Sequence, residues 1–126
     1  MIITEMKPFG EIKPLLTKDD KISIISCNAC AKRCGTGGEE GLQRIKEKLV
    51  AENYNIIDEF LIAPVCCVDA VKKFNPKGDT IIVLACDAGI EVVKRLFPDR
   101  KIISALDTKG LGAFDENGDI FLVKEF

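Results

Sequence analysis

The chemistry legible in this chain sits on six cysteines. Cys27-Asn28-Ala29-Cys30 followed by Cys34 gives C-x2-C-x3-C, a spacing that lets one loop wrap a metal centre from three sides. Cys66 and Cys67 stand side by side and Cys86 stands alone, so two further segments can add sulfur from neighbouring loops. The chain has no histidine. That removes imidazole bases, Ser-His and Cys-His nucleophile pairs, and every His-bearing zinc site. All-thiolate ligation narrows the cofactor to an iron-sulfur cluster or zinc. Zinc takes four ligands, and six cysteines exceed that number.

Other readings of the same thiols stand beside this one. A CxxC after a strand resembles the thioredoxin placement, where a helix N-terminus lowers the first thiol's pKa, so a thiol-disulfide oxidoreductase is one alternative. Against it, Cys34 and the glycines at 35, 37 and 38 interrupt the helix such a motif needs, and the adjacent Cys66-Cys67 pair could close only a strained vicinal disulfide. Another alternative is a structural or regulatory scaffold in which zinc ties three loops together. The plainest reading makes each cysteine a small apolar filler. It suits a lone Cys86 at the end of a buried strand better than three thiols crowded into one glycine-rich loop. Gly35, Gly37 and Gly38 in that loop are expected to let the backbone pass close to a cluster and to offer N–H groups to its sulfurs. The same turn lacks both GxGxxG and the Walker lysine-serine ending, so it is a weak nucleotide signature.

Composition sets the frame for these loops. With 126 residues the expectation is one domain, 1–126, able to bury an ordinary core. Lys+Arg 18 against Asp+Glu 20 leaves no basic excess for nucleic acid. No apolar run approaches the ~20 residues of a membrane span. The start of the chain turns polar by Thr4-Glu5 without signal-peptide architecture, and the expected location is cytoplasmic. Cysteines concentrated in such a protein point to metal or redox chemistry before disulfides.

The elements that must position the thiols follow from periodicity. Lys21–Ser26 reads as a buried strand, Asn55–Ala63 as a second, Thr80–Ala85 as a third with no polar alternation, and Lys101–Ser104 as a fourth. Helical spacing appears over 39–52 and 88–97, in a short stretch carrying Val68, Val71 and Phe74, and around Phe9, Ile12, Leu15 and Leu16, where Pro14 keeps the helix short or kinked. Asn117-Gly118 between apolar runs at 111–114 and 120–123 predicts a hairpin. The alternation predicts an α/β, Rossmann-like three-layer fold, with a mostly parallel sheet of about four strands and a C-terminal β-hairpin. Cys27, Cys66/Cys67 and Cys86 each follow a predicted strand. The three loops therefore deliver sulfur to the carboxyl edge of one sheet, where open α/β sheets bind ligands.

CNACAKRCGTGGEE at 27–40, the cysteine segment after Ala63-Pro64, LACDAG at 84–89 and ALDTKGLGAFDENGDI at 105–120 together resemble the C-terminal-domain family of methylenetetrahydrofolate reductase. Its best-known members are small iron-sulfur subunits that accompany the flavin-bearing reductase. The resemblance runs from about Ile2 to Phe121 and implies electron transfer through a 4Fe-4S centre to or from a flavin-containing reductase subunit. It places Cys27, Cys30, Cys34, Cys86 and one of Cys66/Cys67 at family cysteine positions; Cys66 is the match that keeps the offset of Val71-Lys72. Family members usually carry one cysteine in that segment. Longer members continue into a second cysteine cluster, which Val123-Lys124-Glu125-Phe126 does not resemble, so one centre is expected within these residues. Flavin and folate would then belong to the partner, in keeping with a chain that has one Tyr and no Trp to stack a pteridine.

Overall fold

The computed structural model describes residues 1–126. Strand β1 (Ile2–Met6) leads into α1 (Phe9–Ile12) and a 3-10 turn (Lys13–Leu15), then β2 (Lys21–Cys27), α2 (Cys30–Arg33) and α3 (Gly38–Ala51). β3 (Asn55–Ile62), α4 (Val68–Val71), β4 (Thr80–Leu84), α5 (Asp87–Leu96) and β5 (Lys101–Ser104) complete the α/β alternation. β6 (Leu106–Phe114) and β7 (Ile120–Glu125) form the hairpin. No helix is long and apolar enough to cross a membrane.

β2 to β5 form one parallel sheet in the order β3-β2-β4-β5. Every position of β4, and all but the first of β2, is buried, as expected of central strands covered on both faces. β3, at an edge, alternates between exposed and half-buried over most of its length. The chain moves one way from β2 to β3 and the other way from β4 to β5, so right-handed crossovers place α3 on one face and α4 with α5 on the opposite face. Leu42, Ile45 and Leu49 of α3, together with Ile90 and Val93 of α5, pack onto Ile22, Ile24, Ile25, Ile81, Ile82 and Val83 in the core. This is the predicted Rossmann-like α/β architecture, and the four strands of this sheet and the two long helices fall within one residue of the boundaries read from periodicity. Pro14 has the expected effect: α1 tightens into the 3-10 turn at that residue.

The hairpin does not stand alone. β6 pairs antiparallel with both β7 and β1, making a second sheet in the order β1-β6-β7. Asp115 shapes its turn by accepting the N–H groups of Asn117 and Asp119, and Gly118 takes the positive φ that the turn requires.

Helix α3 comes close to the loop before it because position 41 has no side chain. A Cβ on Gly41 would stand 2.3 Å from the Thr36 carbonyl oxygen and 3.3 Å from Leu84. Gly41→Ala is therefore expected to cost roughly 2 kcal/mol or more, the scale of an overpacked core. Gly10→Ala, with open space around it, should be neutral or slightly stabilising. Urea denaturation of the two variants provides the comparison.

Candidate metal centre

The parallel register brings the ends of three strands level. Cys27 lies opposite Ile62 of β3, and Ser26 lies opposite Leu84 of β4. The loops that begin at Ala63 and Ala85 therefore leave the sheet beside the one that begins at Asn28. β2 and β4 are also the strands between which the direction of winding reverses, the position where doubly wound sheets open a crevice. Cys27 ends one of these strands with Cys30 beyond it, and Cys86 follows the other.

Backbone bonds then shape the cysteine loop. Asn28 N–H donates to Ile62 O at 2.8 Å, carrying the β2-β3 pairing one residue further. The chain turns sharply at Ala29 (φ −125°, ψ −109°), so that Cys30 opens α2. Ser26 Oγ, buried at the end of β2, donates to Gly38 O at 2.9 Å and ties the start of α3 to the strand. Thr36 Oγ1 donates to Ala31 O at 3.2 Å and lies 2.7 Å from Thr4 Oγ1, which joins the loop to β1 of the second sheet. Asp87 N–H donates to Thr108 Oγ1 of β6 at 2.9 Å, so the second sheet also walls the Cys86 loop.

All six cysteines are free thiols, and they divide by surroundings. Cys27 is buried; Cys30, Cys34, Cys67 and Cys86 are half-buried; Cys66 is exposed. The Cys66 thiol is nevertheless pushed above its ordinary pKa, first by desolvation among the loops and then by the charges of Cys86, Cys27 and Cys30. Those four thiols therefore share one electrostatic neighbourhood drawn from three loops. Cys34 turns toward the second sheet, its thiol donating to Ile2 O at 3.6 Å. Cys67 caps α4 in an extended conformation, with its carbonyl accepting from Ala70 and Val71. No three cysteine, aspartate or glutamate side chains are grouped as they would be around a bound metal ion.

Two of the three glycines have their N–H groups engaged inside the loop. The N–H groups of Gly35 and Gly37 are already donated to Lys32 O and Ala31 O, closing the end of α2 and leaving them engaged within the loop. What Gly37 contributes is a close approach: a Cβ there would meet Ala31 Cβ at 2.6 Å and Cys27 O at 2.8 Å. Gly35 and Gly38 take positive φ values of 72° and 61°. Thr4, Thr36 and Thr108 carry no recognisable motif. Their importance comes from the pairing of β1 with β6, which sets Thr4 opposite Thr108 in the second sheet, where each reaches a cysteine loop.

Comparison with protein-family models, curated proteins and solved structures finds no match to this chain.

In metal-free protein, Cys66 is expected to alkylate more slowly than a free cysteine near pH 8.5, and to approach it as pH rises. Because the folded-state pKa is raised, the associated stability is present below the unfolded thiol pKa and is lost as pH climbs through the folded one. Cys86→Ser should speed Cys66 alkylation and Cys34→Ser should leave it unchanged. Site-resolved mass spectrometry reads both rates, and equal acceleration by the two variants would contradict the grouping.

Proposed function

We propose that this chain carries one cysteine-ligated iron-sulfur centre, 4Fe-4S, and passes electrons to or from a flavin-containing partner of the methylenetetrahydrofolate reductase type. The observation that carries the reading is the shared neighbourhood of Cys27, Cys30, Cys66 and Cys86 at the winding reversal of the sheet. These four would hold the group. A thiolate set without nitrogen donors suits iron-sulfur chemistry, and the group would supply one-electron transfer when bound.

The preference for a cluster over a mononuclear metal rests on donor chemistry, an all-thiolate set drawn from three loops. The surroundings suit the same reading. Cys27 anchors the ring on a central strand, while Cys30 and Cys66 stand toward solvent, where electrons can leave. The partner would carry flavin and substrate, and the setting for such a pair would be the cytoplasm.

Anaerobic purification followed by iron, sulfide and zinc analysis tests the reading. A brown protein with about four irons and four sulfides per chain, bleached by dithionite, is the expected result. Cys66→Ser should lose most of that iron and Cys67→Ser should keep it; equal retention overturns the ligand set. Stoichiometric zinc in a colourless protein would replace the reading with a metal-tied scaffold. Metal-free protein with rapid disulfide exchange would replace it with thiol redox chemistry.

A further inference from the structure

Beside the thiols lies an open depression of about 800 Å³, lined by Met1, Asn28, Cys30, Lys32, Arg33 and Phe114 among others, with no acidic residue in its wall. Lys32 and Arg33 are exposed, and neither belongs to an ion pair, whereas cations such as Lys7, Lys13, Arg44 and Lys101 are matched with carboxylates. The Arg33 guanidinium lies 5.4 Å from the centre of the Phe114 ring, which holds it over the depression by a cation–π contact. In a chain of net charge −2, the wall of this depression carries two cations and no carboxylate.

Phe114 also belongs to a second feature. It pairs with Ile120 across the β6-β7 hairpin, and Phe114, Phe121, Leu122 and Val123 are 47–59% exposed. An apolar strand next to an unpaired arginine over an aromatic ring has the composition of a protein interface, rich in Phe and Arg. A small anion would use the cations alone. The neighbouring apolar strand calls for something that covers both.

We propose that Lys32 and Arg33, seated over Phe114, receive a carboxylate-bearing face of the electron-transfer partner, held against Cys30 and continued onto the exposed hairpin. The electron traffic rests on the iron-sulfur reading; the charge and shape of the seat do not. The partner's docking face would therefore be acidic at its rim and apolar at its centre, and Cys30 would be the ligand nearest the exchange.

The test has two arms. In metal-free protein, Cys30 is alkylated with iodoacetate and, separately, with the neutral iodoacetamide. The ratio of the two rates cancels the thiolate fraction and reports the local field. Replacing both cations (Lys32→Glu with Arg33→Glu) should lower this ratio at Cys30 by roughly 3- to 10-fold at low salt and leave it unchanged at Cys67. An unchanged ratio at Cys30 overturns the seat. In iron-loaded, reduced protein, electron transfer to an acidic flavodoxin should fall by a similar factor in the same variant, and transfer to the basic cytochrome c should rise. Protein rates that do not move while the alkylation ratio does would place the partner elsewhere. Saturable protection of Cys30 by millimolar inorganic phosphate would make this a small-anion site instead. Failure to take up iron would remove the electron-transfer partner together with the iron-sulfur reading, yet the alkylation arm would still decide the field.

Discussion

The pairing of β2 with β3 on one side and β4 on the other governs the cysteine edge, because it decides where three loops leave the sheet. Parallel strands have no tight turns to set their register; it is set by the side chains they bury. In β2 nearly every residue is buried, so a slip by one position would turn Ser23 and Ser26 away from their partners. Ser23 Oγ accepts from Gly78 N–H at 2.8 Å, and Ser26 Oγ donates to Gly38 O at 2.9 Å. Two buried hydroxyls thus act as register pins at opposite ends of the strand. Leaving either unpaired would cost about 1–3 kcal/mol. With register fixed, Cys27 and the residues after Ile62 and Leu84 are placed level by the sheet itself.

The loops beyond the strands lack that regularity and are held by close backbone approach instead. Gly37 fits between Ala31 and the Cys27 carbonyl, and Gly89 lets α5 lie on Ala85 and Val65. Ala85 and Val65 each adjoin a cysteine, Cys86 and Cys66. The Gly89 contact therefore draws the β3 and β4 loops toward each other, while Gly37 does the same for α2 and the end of β2. The second sheet closes the arrangement through Thr4 and Thr108. Small residues near the thiols thus serve loop packing, which is a requirement any occupant of the site would inherit.

Much of this could be read from residue order. The unbroken run Thr80-Ile81-Ile82-Val83-Leu84 is legible because a strand buried on both faces has no other composition open to it, and the thiols follow such strands directly. Three features were not legible. β1 is only five residues long, with little alternation, and its partner β6 lies about a hundred residues away. β6 includes Thr108 and Lys109 with two glycines, so its first half carries no strand pattern. The division of the thiols was hidden as well: the C-x2-C-x3-C spacing treats Cys34 as equal to Cys27 and Cys30, but α2 continues through a helical turn and carries Cys34 round to Ile2. Spacing specifies how far apart residues lie along the chain. The direction each one faces depends on the helix between them.

The graded exposure of the four grouped thiols bears on what a centre held there could do. Cys27, at 7% exposure, belongs to the same core as Ile24 and Leu84, whereas Cys66 stands in solvent. A redox group in this position would have one side against an apolar core and the other open. Burial favours the less charged oxidation state, and exposure shortens the path to a partner, so the potential and the exchange rate are governed by different halves of the site. The chain supplies no imidazole, and its single Tyr lies at position 54, buried between the end of α3 and β3 on the far side of the sheet from the loops. Around the thiols stand the hydroxyls of Ser26, Thr36 and Thr108, the loop glycines, and the cations Lys32 and Arg33. If the centre proposed above exchanges electrons with a partner, the open face at Cys30 and the cations beside it are where the two would meet.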